Sequence, residues 1–276
     1  MAIYWSVRPR CTIWPVISLR RAFFVLLAGA ARSLDLSGRA VMCLAAGSLR
    51  LHDLREAIAH TWEDFGRSER MILSGLMPWE SVLYGRFLRP EDRILVVGCG
   101  TGRDLIALRK LGHRVEGLDV APGAIALARR MLERQGLSAD LYTGPVESVA
   151  LPGSFDAFVF SWFCYGYIPQ RETRIGVLRK LSAHLRPGGR ILICYIPAER
   201  PPRLLPTALM RLVARVTRSD WRPDLGDVIG PAARDRKAVH YEHQFWEGEL
   251  EAEARAAGLT VAFHERSDVG TAALTV

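Results

Sequence analysis

A chain of 276 residues, 49% of them apolar, suits one large α/β domain with extra elements and excludes bulk disorder. The net charge of +8 is uneven: residues 1–50 carry seven arginines against Asp35 alone, so the rest of the chain is close to neutral. Such a body argues against a face built for a long nucleic acid, which needs several phosphate contacts.

Residues 1–50 form a basic, apolar N-terminal segment, read as an extension or as helices. Its run Ala22–Ala31 is about half the length a membrane-crossing helix needs. The readings are helices packed on the domain, a targeting extension, or a peripheral membrane contact with arginines facing anionic lipid. Residues 51–276 read as the principal domain, with 197–245 as a lid-like insertion. His60–Leu76 and Trp79–Phe87 are predicted helices. Arg93–Val97 is a strand buried on both faces, followed by the glycine run Gly98–Gly102 and a helix that Gly112 stops. Val115–Asp119 is a second strand, and Pro122–Gln135 a helix with Pro122 at its start. Ala139–Thr143 and Ala157–Ser161 are strands, then Arg171–Leu185 a helix ending at Pro187-Gly188-Gly189. Arg190–Tyr195 is the fifth strand, and Trp246–Ala257 a helix. Leu259–His264 and Thr271–Val276 are joined too tightly for a crossover and should pair antiparallel. The alternation predicts a mostly parallel seven-stranded sheet covered by helices on both faces, with an antiparallel C-terminal edge hairpin.

The five cysteines, Cys11, Cys43, Cys99, Cys164 and Cys194, are scattered and lack a C-x-x-C pair. A disulfide framework and a cysteine metal site are therefore not expected, and a cytoplasmic setting is.

The strongest local signal is Ile94–Gly102 (ILVVGCGTG), a buried strand running into three alternate glycines. A cofactor lying across a strand end needs a tight turn without Cβ atoms. The dinucleotide fingerprint is not met, because Arg103 stands where its last glycine would be. Asp119 ends the second strand, where a carboxylate can accept both ribose hydroxyls or can cap the helix at Pro122.

The order ILVVGCGTGRD, VEGLDVAPGAIALARR, LPGSFDAFVFSW and VLRKLSAHLRPGGRILICY resembles the class I S-adenosylmethionine-dependent methyltransferases over roughly Arg93–Tyr195. The resemblance implies a Rossmann-like three-layer sandwich, S-adenosyl-L-methionine as cofactor, and methyl transfer by in-line displacement at the sulfonium. By resemblance, Gly98, Cys99, Gly100, Thr101 and Gly102 line the methionine end. Asp119 binds the ribose and Val120 the adenine, Val146 and Glu147 lie at the adenine edge, and Ser161 and Trp162 near the sulfonium. Two positions depart from the family pattern. Val96 stands where an acid often orients the loop, and Pro145 where an Asp often reaches the adenine amine.

The expected acceptor is a small molecule. Trp162–Tyr167 (WFCYGY) lacks the Asn/Asp-Pro-Pro-aromatic pattern of base and glutamine methylation and suggests a flat or apolar pocket. The insertion and the helices around Trp62 and Tyr84 are the other pocket candidates. A general base is needed only if the acceptor must lose a proton, and Tyr165, His240 and His243 are the candidates. An RNA or protein methyltransferase and a non-catalytic binding module remain alternatives.

Overall fold

The computed structural model describes residues 18–31, 35–63, 67–199, 204–231 and 239–276; for residues 30–39 it describes the backbone alone where it describes anything. Cys11 and the arginines Arg8, Arg10, Arg32, Arg200 and Arg203 lie outside the residues whose side chains are described.

Three helices come first: α1 (Leu19–Ala31), α2 (Asp35–Gly47) and α3 (Leu51–Glu63). The predicted helix His60–Leu76 is not one element. Instead α3 ends at Glu63, and a single turn, α4 (Glu69–Ile72), starts afresh where the Ser68 hydroxyl accepts the Met71 N–H. Next comes α5 (Pro78–Phe87), started by Pro78 and by the Glu80 carboxylate folding back on the Met77 N–H at 2.8 Å.

The sheet is built from β1 (Arg93–Val97), β2 (Arg114–Asp119), β3 (Leu141–Thr143), β4 (Phe155–Phe160), β5 (Leu185–Tyr195), β8 (Thr260–Arg266) and β9 (Gly270–Thr275). Their spatial order is β3-β2-β1-β4-β5-β9-β8. The first five run parallel, while β9 pairs antiparallel to both β5 and β8. That is the Rossmann-like sheet with an antiparallel edge that the alternation predicts. Helices α6 (Arg103–Lys110), α7 (Pro122–Arg134) and α8 (Arg171–Ala183) make the crossovers, and α10 (Glu249–Ala256) precedes the edge pair. The PGG turn is absorbed into β5, which begins five residues earlier than Arg190 and carries a register shift opposite β4. Helix α10 starts later than Trp246 because Gly248 takes a left-handed φ of 77° at its N-cap.

The two faces of the sheet bury separate apolar clusters. One gathers Phe155, Phe158, Phe160, Ile191 and Ile193 with α8 and α10. The other gathers Ile94, Val96, Val159 and Leu192 with α5, α6 and α7. Strands buried on both faces explain the unbroken apolar runs in the sequence.

A third cluster lies outside the sheet. The insertion contains α9 (Leu204–Val216) and a hairpin of β6 (Asp227–Pro231) and β7 (Val239–His243). It leaves and rejoins the body at one place, where Pro197 bridges Phe245 and the Ala198 N–H reaches the Phe245 carbonyl at 2.9 Å. Trp221, Met210, Val239 and Tyr241 of the insertion pack with Phe24, Ala45, Leu49 and Leu54 of the N-terminal helices. Helix α2 lies so close to α9 that a Cβ on Gly47 would stand 2.5 Å from the Met210 carbonyl oxygen. Arg20 pins both segments, donating to the Ser48 and Thr217 carbonyls at 2.9 Å each. The N-terminal helices and the insertion thus form one cap.

Candidate functional site

The β1–α6 loop opens the site. The Gly98 and Cys99 N–H groups bond the Leu118 carbonyl at 2.8 and 3.1 Å, tying the loop to the end of β2. The glycines do unequal work. A Cβ on Gly98 would collide with the Cys164 side chain, and one on Gly102 would press on Ala128 of α7 at 3.1 Å. Only Gly100, with φ 52°, meets open space. Two of the three glycines therefore serve close packing of protein on protein, and one opens a cavity wall.

That cavity measures about 400 Å³, the scale of a small-molecule pocket. It is lined by Gly98, Cys99, Gly100, Thr101, Asp119, Val120, Val146, Glu147, Ser161 and Trp162, ten of the eleven residues singled out for a cofactor. The eleventh, Gly102, is not in the lining. Asp119 is buried, and each carboxylate oxygen accepts one backbone N–H, from Gly100 at 2.7 Å and from Ala121 at 2.9 Å. Burial raises its pKa, and the N–H groups pull the other way. The helix-capping reading of Asp119 is the one the hydrogen bonds show. It steadies the start of α7, and a carboxylate with about four lone-pair positions keeps capacity for two hydroxyls.

At the far side, Gly144 with φ 142°, Pro145 and Val146 form a wall. The Lys180 ammonium fixes it by donating to the Val146 and Val149 carbonyls at 2.8 and 2.5 Å. Helix α3 closes the roof with His52, Arg55, Glu56, Ala59 and Trp62, one face at helical spacing. Arg55 bonds Glu147 at 2.9 Å, and Glu63 accepts the Gly123 N–H at 3.1 Å, so the roof is latched at both ends. The sequence pointed to Trp62 but not to the rest of this face.

The floor near the end of β4 is strained. Trp162 and Phe163 take φ of 45° and 63°, rare for bulky side chains and costing on the order of 1 kcal/mol or more each. Trp79 holds them there, stacked on Phe163 at 5.8 Å and tilted against Trp162 at 6.5 Å. Cys164 and Tyr167 also line the cavity, and Tyr167 meets Trp62 edge-on at 4.8 Å. Burial pushes the Cys99 and Cys164 thiols well up, so neither is a thiolate nucleophile.

Behind the glycine loop lies a cluster that the sequence did not reveal. Arg103 meets Glu80 and Asp104 at 2.5 Å each, and the Tyr84 hydroxyl donates to Asp104 at 3.2 Å. Burial, with Asp104 beside it, raises the Glu80 carboxyl; burial opposes the Arg103 charge, but Asp104 and Glu80 outweigh that and hold it positive. The guanidinium lies 5.0 Å from the Trp162 ring, and its Nη1 is buried with no hydrogen-bond partner. Arg103 lines the cavity. Val96 is fully buried among apolar side chains, and the acids nearest the loop's helix in this cluster, Glu80 and Asp104, stand on α5 and α6. Tyr84 belongs to this cluster and not to the cavity lining.

The three base candidates stand elsewhere. Tyr165 is fully buried and donates to Glu253 at 2.7 Å. His243 is fully buried between Asp227 at 2.8 Å and Glu249 at 3.0 Å. His240 sits edge-on to Tyr167, 6.3 Å away, beside Glu242 at 3.8 Å. None of the three lines the cavity. No group of three or more His, Cys, Asp or Glu side chains among the described residues could hold a metal ion.

Residues 94–189 match the family described as "Methyltransferase domain". A cypemycin N-terminal methyltransferase from Streptomyces sp is 31% identical over 131 residues, 46% of this chain and 50% of the relative. A ribosomal protein L11 methyltransferase from Thermus thermophilus is 31% identical over 117 residues, 42% and 43% of the two chains. A ubiquinone biosynthesis O-methyltransferase from Xanthomonas campestris is 29% identical over 165 residues, 54% of this chain and 67% of the relative. The chain thus spans about half the length of the first two. Among solved structures, a SAM-dependent methyltransferase from Methanosarcina mazei superposes with a TM-score of 0.56 at 19% identity, over 72% of this chain and 97% of that one. The CcbJ methyltransferase from Streptomyces caelestis gives 0.55 at 14% identity, over 81% and 98%. These likenesses show the same fold.

Proposed function

We propose that this chain, whose residues 94–189 match the methyltransferase domain family, is a class I S-adenosylmethionine-dependent methyltransferase that transfers the cofactor's methyl group to a small, largely apolar acceptor held under α3. The observation that carries this reading is one cavity, lined by ten of the expected cofactor residues and by Arg103, a buried arginine that has one guanidinium nitrogen without a partner. Such a nitrogen suits a carboxylate, and the amino-acid end of the cofactor has one. Arg103 would take that carboxylate, with the Gly98–Thr101 backbone beside it. Asp119 would accept the ribose hydroxyls on its remaining lone pairs. Val120, Pro145 and Val146 would flank the adenine, and Arg55 with Glu147 would close over its edge. Ser161 and Trp162 would border the methyl group.

S-adenosylmethionine supplies a methyl group already activated on a sulfonium. What the chain must add is alignment and exclusion of water. The α3 roof and the Trp62, Trp162 and Tyr167 rings supply both, and their flat apolar faces favour an aromatic or otherwise apolar acceptor.

Calorimetric titration with S-adenosylmethionine and S-adenosylhomocysteine, with NADH as control, tests the cofactor half. Saturable binding of both sulfur compounds, lost in Asp119→Ala, is expected. A folded protein that binds neither sinks the reading. Release of S-adenosylhomocysteine across a panel of phenols, amines and peptides tests the acceptor half. Turnover confined to peptides would overturn the small-molecule assignment and keep the methyltransferase.

A further inference from the structure

We propose that the outer face of the cap, made by α1 and α9, docks on an anionic lipid bilayer. Of 13 large apolar side chains left exposed among the described residues, eight lie on α1, α2 and α9. On α1 the exposed positions are Leu19, Ala22, Phe23, Leu26 and Gly29, a stripe with helical period. The polar side of this helix is turned inward, where Arg21 is buried against Glu56 at 3.3 Å. Helix α1 is thus apolar on both sides: Phe24 and Ala28 pack into the cap beside the inward-turned arginines, while Leu19, Phe23 and Leu26 meet solvent.

Helix α9 repeats the pattern. Thr207, Met210 and Ala214 face the body, and Leu204, Leu205, Leu212 and Val216 face out, Leu205 at 84% exposure. Arg211 and Arg215 are interleaved on that exposed face, with Arg218 and Arg222 just beyond. Arg215, Arg218 and Arg222 make no ion pair among the described residues. Helix α2 lies between the two, with Leu44 exposed. No helix among the described residues is long and apolar enough to cross a membrane, so insertion of a face is the available mode.

Charge decides the occupant. Neither α1 nor α9 contains an acidic residue. A second copy laid face to face would set the α9 arginines against one another, and Asp220, the acid between Arg218 and Arg222, already accepts the Leu51 N–H at 3.0 Å. Residues 1–17 are no better complement, since they carry Arg8 and Arg10 and no acid. A bilayer with anionic headgroups offers what both lack: apolar depth for the leucines and negative charge for the arginines. Each arginine near such a surface contributes about fivefold in partitioning, at roughly 1 kcal/mol each.

Flotation of the full chain tests this, using vesicles of phosphatidylcholine alone and of phosphatidylcholine with one quarter phosphatidylglycerol. The chain should float with the anionic vesicles and largely remain behind with the neutral ones. Arg215→Glu/Arg218→Glu and, separately, Leu205→Glu/Leu212→Glu should each cut the bound fraction more than tenfold. All four side chains are exposed, and unchanged thermal unfolding confirms that the variants fold. Failure to float, or equal binding by the variants, overturns the proposal. So does a dimer in sedimentation that Leu205→Glu/Leu212→Glu dissolves, because the face would then belong to a second copy. None of these readouts depends on methyl transfer.

Discussion

Two buried charge clusters sit on opposite sides of the same sheet, and they differ in completeness. Beneath the cap, Arg174 is fully buried and donates to Glu253 at 2.7 Å, with Glu249 at 3.7 Å and Asp224 at 3.8 Å. Tyr165, His243 and Asp227 fill the remaining positions around it and its neighbours. No Arg174 nitrogen and no Glu253 oxygen is left unpartnered. Beside the cavity, Arg103 is held by Glu80 and Asp104 just as firmly, yet its Nη1 has no partner. The closed cluster spans α8, α10 and the β6–β7 hairpin, so it joins the insertion to the body. The open one reaches the cavity through Arg103, the member of the cluster that is part of its lining. A buried donor without an acceptor costs free energy unless a ligand completes it. On the proposed reading of Arg103, saturation separates a structural cluster from a binding one, although their residue types are almost the same.

Breaking the closed cluster should have the largest effect. Arg174→Met leaves the Glu253 carboxylate buried without its cation and takes the same cation from Glu249 and Asp224, and loss of about 3–5 kcal/mol of stability is expected. Denaturant unfolding measures it, and proteolysis should cut the cap first. A stability within 1 kcal/mol of the parent would show that the network is dispensable.

At the open side, Asp119→Ala removes an acceptor from the Gly100 and Ala121 N–H groups as well as from a ribose. A loss of cofactor affinity of roughly a hundredfold is expected, about 3 kcal/mol from two hydrogen bonds to a charged group. Calorimetry reads it directly.

His243 links the comparison to pH. Burial disfavours its charged form, but the hydrogen bonds it donates to Asp227 and Glu249 outweigh that and hold the imidazole up to about 8. A folded-state pKa above the ordinary 6.5 gives stability that is complete below pH 6.5 and fades as the pH rises through 8. The full effect is about 2 kcal/mol at most. Melting temperature should therefore fall between pH 6.5 and 8.5 in the parent and change less in His243→Gln. Equal slopes would remove His243 from the network's titration.

The smallest expected effect is the sharpest discriminator. Arg103→Lys keeps a positive charge beside Glu80 and Asp104 but loses the planar fork that can serve them and a ligand together. Affinity for S-adenosylmethionine should fall about tenfold, the value of one charge-assisted hydrogen bond, while the unfolding midpoint stays nearly fixed. Unchanged affinity would mean that Nη1 is not a ligand contact.

Much of the body was legible in the sequence because its rules are local. Period, β-branching and glycine spacing gave every strand of the main sheet within a few residues, and the ILVVGCGTG run and Asp119 marked one wall of the cavity. The His60–Leu76 helix was misjudged because helical spacing on either side of Ser68 masked a cap that restarts the chain. The hairpin Asp227–His243 was missed, since its pairing joins two short runs with little alternation of their own. Tyr165 and His243 looked like bases because their chemistry suits the task, yet the residues that engage them lie 6 to 88 positions away in sequence.

The sequence by itself determined the sheet, the glycine turn and the acid at the end of β2, because backbone sterics and side-chain period act between near neighbours. Only the tertiary structure decided that α3 roofs the cavity, that Glu80 claims Arg103 across 23 residues, and that α1 turns Leu19, Phe23 and Leu26 to the outside. Those outcomes depend on which surfaces meet after the chain has crossed the sheet, and burial and charge pairing at a distance leave no periodic mark on the chain.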